Sequence, residues 1–355
     1  MKRKEIALIK ETRQSKFVEK IMSSISPHLQ IKASDKIAIK IILDGSKEIY
    51  ANTHYETVES LLFFLKDNFG VNDITIIEGS DGGFSYNKTT WDIFYKFRYK
   101  EVELNGAKLV NLDDLPHNNK LTVDTLFGER EISYTTYDAD YTIFVLPPKT
   151  HNIFPASLSL SSVLGFVKPK DRNLIFSSYK SDQRKLNQLN YYKYQNLLQI
   201  SSKNIISLYK KVPASLILLD GLFGMEGKGP VKGSPVFHGF SIASEDPVCV
   251  DSLAAYIMGF DKSKIPYIEM AEKEGLGNSD WQNIIGVDPQ IVKFPYRPHP
   301  IFHKFKNANQ KKNYSKSNNR NDGDKNKSHK VNKPVNKFNK TNKNERKTTG
   351  TDKST

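Results

Sequence analysis

The segment Asp220-Gly-Leu-Phe-Gly-Met-Glu226-Gly-Lys228-Gly-Pro-Val-Lys-Gly233 concentrates residues able to do chemistry. It carries two carboxylates, Asp220 and Glu226, the ammonium of Lys228, and five glycines. Glycine lets backbone N–H groups approach an anion closely, so Gly227, Lys228 and Gly229 are candidate ligand-binding residues. A loop this rich in glycine is costly in chain entropy, which favours a functional over a purely structural role. The segment is not a Walker A loop, because Gly229 rather than Ser or Thr follows Lys228. Nor is it a GxGxxG turn opening a helix. Neither a nucleotide triphosphatase nor a Rossmann dehydrogenase is supported.

Two shorter segments share this character. In Pro147-Pro-Lys149-Thr-His151, a lysine and a histidine two apart in extended chain point the same way. The pair suits an anionic substrate or general acid–base work, and equally a solvated lysine beside an incidental histidine. Glu78-Gly-Ser-Asp81-Gly-Gly-Phe-Ser85 places the Asp81 carboxylate among glycines, where it would hold a metal or a polar ligand. Taken alone, this segment reads better as a plain turn. His238 and Asp251 are weaker candidates. Asp246, followed by Pro247, is explained as a helix cap.

Each of the three segments follows a strand-like apolar run, ending at Ile77, Leu146 and Leu219. Loops at the carboxyl ends of neighbouring parallel strands lie together although far apart in sequence. The expectation is one pocket gathering Asp81, Lys149, His151 and Glu226. Other runs complete the pattern. Lys36–Leu43 and Ala107–Leu112 are strand-like. Thr53 to Glu56 has the spacing of a capping box before a helix. Trp91–Tyr99 and 180–211 have helical periodicity, Phe240–Ala243 is short and extended, and helices follow from Asp246 and Ile265. The fold class is α/β: a mixed, mostly parallel sheet flanked by helices, with a disordered C-terminal tail.

Charge divides the chain. Of 53 Lys/Arg and 39 Asp/Glu, residues 303–355 hold 16 and 4, leaving 37 and 35 for residues 1–302. The basic character therefore belongs to the tail. With 12 Asn and no hydrophobic period, the tail cannot offset its ordering entropy, so 1–302 is read as the α/β domain and 303–355 as disordered. Such a tail suits weak, non-specific nucleic-acid binding or simple solubilisation. The single cysteine, Cys249, lies among apolar neighbours and reads as a small buried hydrophobe. The basic N-terminus turns polar too soon for a signal peptide, and no apolar run nears the roughly 18 residues of a membrane span. The expected location is the cytoplasm, with no membrane partner.

Lys149-Thr-His151, Ser159-Leu-Ser-Ser-Val-Leu-Gly165, Asp220 through Pro230, Ser244-Glu-Asp-Pro-Val-Cys-Val-Asp251 and Met258-Gly259 together resemble the family called domain of unknown function 362. The resemblance extends to Glu274-Gly-Leu-Gly277 and, more weakly, back to Thr53 and Asp81. It implies an α/β protein without assigning an activity. Some members carry a ferredoxin-like module with iron–sulfur cysteines. This chain lacks them, so an iron–sulfur cluster is not implied. It departs at Ser161-Ser162, where the family usually shows lysine–asparagine.

The resulting expectation is a small-molecule enzyme or ligand-binding protein. Lys149, His151, Asp220 and Glu226 are its catalytic candidates. Asp81, Gly227, Lys228 and Gly229 would bind a small anionic molecule, with a divalent cation as an option for the carboxylates. The alternative is a nucleic-acid-associated protein acting through its tail.

Overall fold

A strand buried on both faces needs an almost unbroken apolar run, with successive side chains feeding opposite cores. Tyr141–Leu146 (YTIFVL) is such a run: Ile143 and Val145 enter one core cluster, Phe144 and Leu146 the other. The computed structural model describes residues 4–44, 48–81, 88–179, 183–281 and 283–304. The expected tail lies outside the described residues from 305 onward, as do residues 82–87 of the first candidate loop.

The strands are β1 (Ile6–Lys10), β2 (Ile37–Lys40), β3 (Ile74–Glu78), β4 (Lys108–Asn111), β5 (Asn119–Thr125) and β6 (Gly128–Tyr134). They continue with β7 (Tyr141–Leu146), β8 (Lys149–Thr150), β9 (Ala156–Ser157), β10 (Leu216–Glu226), β11 (Ser234–Ser244) and β12 (Ile284–Gly286). The helices are α1 (Gln14–Ile25), α2 (Tyr55–Phe69), α3 (Thr90–Lys96), α4 (Tyr99–Leu104) and α5 (Gln183–Gln188). After them come α6 (Tyr191–Tyr209), α7 (Pro247–Ile257), α8 (Pro266–Lys273) and α9 (Pro289–Val292).

Ten strands form one sheet in the order β12-β1-β11-β10-β7-β2-β3-β4, with β8 and β9 added at the far end of β10. The run from β10 through β7, β2 and β3 to β4 is parallel. The hairpin β10–β11 and the pair β1–β11 are antiparallel. Helices α1, α2, α3 and α4 cover one face of the sheet, and α6, α7 and α8 the other. Leu218 on the first face and Leu219 on the second are fully buried, and truncating either to alanine costs about 2–5 kcal/mol. The mixed, mostly parallel α/β sheet anticipated from the sequence is the one observed.

Three local expectations are corrected. The capping box at Thr53 does not form: α2 starts after His54, which makes no side-chain cap bond. The Thr53 hydroxyl instead accepts from Ile42 N–H at 2.9 Å and donates to Val145 O at 2.7 Å, tying together the ends of β2 and β7. The glycine-rich segment is not a loop after Leu219, because β10 continues through Asp220 to Glu226, with a register shift between Gly221 and Phe223. Its partner β11 is correspondingly eleven residues long rather than a short piece around Phe240. Asp246 does cap α7, accepting from Cys249 N–H at 2.9 Å.

Candidate functional site

Because β2, β3 and β7 are adjacent and parallel, their carboxyl ends open on the same side of the sheet. A small cavity lies there. Lys40 and Asp44 reach it from β2 and the turn beyond, Glu78 and Asp81 from β3, and Lys149 and His151 from the segment after β7. The enclosed space is about 40 Å³. A single water needs roughly 10–15 Å³ of such space, so the cavity holds a few waters or one small polar group of a larger ligand.

Lys40 is the last residue of β2, and its Nζ donates to Glu78 Oε2 at 2.9 Å and to Ile41 O at 2.6 Å. The two side chains are 1% and 3% exposed. Burial pushes the Lys40 ammonium down and the Glu78 carboxyl up, while their mutual attraction opposes both shifts. Glu78 Oε1 also accepts from Gly79 N–H at 2.8 Å. A Cβ on Gly165 would stand 2.6 Å from that oxygen, and one on Gly79 would stand 2.2 Å from Gly165 O. Glycine at both positions lets the two backbones close over the carboxylate.

Arg172 locks this closure. Its buried guanidinium donates from Nη1 to Ser80 O at 2.8 Å, from Nη2 to Asp113, and from Nε to Val167 O at 3.0 Å. The turn after β3 and the 3-10 segments at Leu164–Phe166 and Pro169–Phe176 are thereby held as one piece.

Lys149 is buried too. It donates to the Asp44 carboxylate and, at 2.9 Å, to Ala51 O. His151 is 3% exposed and lies against Phe154 and Phe176. Its Nδ1 accepts from the backbone N–H groups of Ile153 at 3.0 Å and Phe154 at 3.3 Å. A backbone N–H can only donate, so the ring proton sits on Nε2 and this histidine is a hydrogen-bond donor on the cavity wall. Ser157, Ser161 and Ser162 also line the cavity. The hydroxyls of Ser161 and Ser162 both bond to Leu158 O, at 2.9 and 2.8 Å, and so fold their own turn. That turn is fastened to α7 by buried Asp251, whose carboxylate accepts from Ser159 N–H, Ser159 Oγ–H and Leu160 N–H at 2.6–3.0 Å.

The structure therefore brings Asp81, Lys149 and His151 to one cavity and leaves the glycine-rich residues elsewhere. From that third segment only Pro230 reaches the cavity wall. The Glu226 carboxylate is held by the backbone N–H and Nε of Arg297. Asp220 lies within β10, where it accepts from Thr57 Oγ–H at 2.5 Å and borders a different cavity. Lys228 is exposed, and Gly227 sits at φ +78° with open space where a Cβ would be. Gly229 packs against Thr150, whose carbonyl would be 2.0 Å from an added Cβ. Sequence reasoning missed Lys40, Asp44, Glu78 and Arg172. The signal for Lys40 was present: a charge inside the apolar run KIAIKIIL has no solvent-facing side on which to sit.

The sequence pattern of the family described as Domain of unknown function (DUF362) matches residues 37–256. The chain belongs to this family. In this DUF362 protein every residue lining the cavity falls within the matched span. It is 23% identical over 150 residues to the thylakoid-associated protein sll1697 of Synechocystis, 42% of each chain. Among solved structures it is similar to the lactate racemase apoprotein from Thermoanaerobacterium thermosaccharolyticum, at 13% identity and TM-score 0.43, over 71% of this chain and 57% of that one. A Thermotoga maritima protein gives 12% identity and the same TM-score, over 74% and 59%. The DUF362 chain thus spans less than two thirds of the length of each of these relatives. No helix among its described residues is long and apolar enough to cross a membrane, and no three His, Cys, Asp or Glu among them gather as a metal site.

Proposed function

We propose that this chain is a ligand-binding protein or enzyme acting on a small anionic molecule, whose anionic group enters the cavity at the carboxyl ends of β2, β3 and β7. One observation carries the reading. The buried Lys40–Glu78 ion pair shares a wall with Lys149 and His151. Apolar residues of similar volume stabilise a core as well as a buried ion pair or better, so fold stability alone does not call for this pair. Perturbed, buried ionisable groups gathered in a cavity are the usual mark of a functional site.

In this reading the ligand's anionic group takes the place of the Asp44 carboxylate on Lys149, and His151 donates through Nε2. The Lys40–Glu78 pair is the acid–base element, since burial draws both groups toward their neutral forms. Asp81 borders the same ligand. Asp220 and Glu226 have no part in it.

The test uses the full chain. Native mass spectrometry, with and without chelator, reports any ligand that copurifies. Thermal unfolding in inorganic phosphate and in acetate then reads anion binding, because a ligand selective for the folded state raises the transition. The expected result is an anion-dependent rise that Lys149→Met abolishes. A chain with no copurified ligand, and with an anion response unchanged in Lys149→Met, would sink the proposal.

A further inference from the structure

Asp220 presents a separate problem. Its side chain lies inside the molecule, with 6% of the residue exposed, and no Lys or Arg among the described residues forms an ion pair with it. The neutral donors Thr57 Oγ–H at 2.5 Å and Leu222 N–H at 3.1 Å bond its two oxygens. Gln14 Nε2 in turn donates to Thr57 Oγ1 at 3.0 Å, orienting that hydroxyl toward the carboxylate. A carboxylate offers about four acceptor positions, and these bonds use two. Buried charges are ordinarily paired, because desolvation without a counter-charge is expensive. Burial pushes the Asp220 carboxyl up, opposed by the bonds from Thr57 and Leu222 and, more weakly, by the neighbouring His54.

The carboxylate borders a cavity of about 220 Å³, well over the volume of the anion cavity. The outer wall is aromatic. The rings of Tyr50 and Phe223 lie 5.1 Å apart, and Phe223, 36% exposed, stands at the rim. Leu222 and Ile49 add apolar wall, and Gln14, Asn52 and His54 add polar groups. Aromatic faces attract cations and tolerate alkyl groups, and a desolvated carboxylate is the strongest acceptor available to an N–H donor. Pro147 separates this cavity from the first and lines both.

We infer that the Asp220 cavity is a binding site for a small organic ammonium ion, with the amine on Asp220 and its alkyl portion against Tyr50 and Phe223. This site is independent of the anion site, and neither stands or falls with the other.

Titration calorimetry on the full chain tests it, with isobutylammonium as the probe and isobutanol as its neutral counterpart. Saturable binding is expected for the amine and not for the alcohol. Asp220→Asn keeps the side-chain shape while removing the charge. It should weaken the amine about tenfold or more, the scale of one hydrogen bond to a charged group. Phe223→Ala, at a partly exposed position, should weaken it about threefold, the scale of an exposed cation–π contact. If Asp220→Asn fails to fold, the alcohol comparison and Phe223→Ala decide the matter. Absence of saturable amine binding, equal binding of the alcohol, or wild-type affinity in the folded variants overturns the assignment.

Discussion

Lys40 and Glu78 meet at 2.9 Å inside the protein, each at the carboxyl end of its own strand, in adjacent parallel strands. Removing one partner strands the other as a buried, uncompensated charge. Lys40→Met or Glu78→Gln should each lower stability, by about 3–5 kcal/mol for the lysine change and less for the neutral amide. The double variant Lys40→Met/Glu78→Leu should recover most of that loss. Denaturant midpoints at constant slope read the three values. A double variant as unstable as Lys40→Met would mean that the cavity wall, not the ion pair, is what the substitutions damage. A double variant that is stable but no longer responds to anions would separate the site's role in binding from its role in folding.

His151 makes a different prediction from the one its sequence context suggests. Flanked by Lys149 and two prolines, it reads as a solvent-facing pocket residue whose loss leaves stability nearly untouched. In the structure its Nδ1 is the acceptor for two buried backbone N–H groups. His151→Ala leaves those donors unsatisfied, at about 1–3 kcal/mol each when no water replaces the ring. The expected loss is therefore at least about 2 kcal/mol. His151→Asn, whose side-chain oxygen can accept in place of Nδ1, should recover part of it. A melting transition unmoved by His151→Ala would show that water enters and bonds both amides.

What the sequence made legible, and what it hid, follows from the range of the interactions involved. The apolar runs at Tyr141–Leu146 and around Ile74 announced strands because burial on both faces demands unbroken hydrophobicity. The helix from Asp246 announced itself through a local cap. The meeting of Asp81 with Lys149 and His151 was also legible, because parallel neighbours bring their carboxyl ends together. The glycine-rich segment was misread because glycine has two unrelated uses. Flexibility for ligand approach and space for a distant aromatic ring look alike along the chain. The rings that decide between them, Phe240 and Tyr296, lie about twenty and seventy residues away by their numbers. The Thr53 hydroxyl was misassigned for the same reason, since its partner Val145 is 92 residues distant.

The glycines can be sorted by experiment. An alanine Cβ at Gly221 would lie 2.4 Å from the ring of fully buried Phe240, and at Gly224 2.2 Å from the Tyr296 hydroxyl. Neither ring can move without disturbing packed neighbours, so each substitution should cost about 1–3 kcal/mol. Gly227 differs: an added Cβ meets nothing within 4 Å, but φ is +78°. Gly227→Ala should cost about 1–2 kcal/mol from backbone strain alone. Alanine at 221 and 224 leaving thermal stability intact would contradict the ring contacts.

Asp251 gives the pH dependence. Its carboxylate is fully buried between α7 and the serine turn, and three donors from Ser159 and Leu160 favour its ionised form. Desolvation outweighs them and, with the nearby charge of Asp246 adding a smaller push, raises the group to about 7. In the unfolded chain an aspartate titrates near 3.9. The folded state thus holds its proton over a range where the unfolded state has released it, and the unfolded state gains relative stability as pH rises. The contribution of Asp251 to stability is fully present below about pH 4, declines through the window up to about 7, and changes no further above it. Asp251→Asn removes the titration while keeping an acceptor for part of the Ser159 network. The difference in unfolding free energy between variant and wild type should therefore shift in favour of the variant as pH is raised from 4 to 7, and then level off. Denaturant titrations at intervals across that window measure it. A difference that stays flat with pH would mean that the three donors balance the desolvation and that Asp251 is ionised at acidic pH in the folded chain. A difference moving the opposite way would place its folded pKa below the unfolded value.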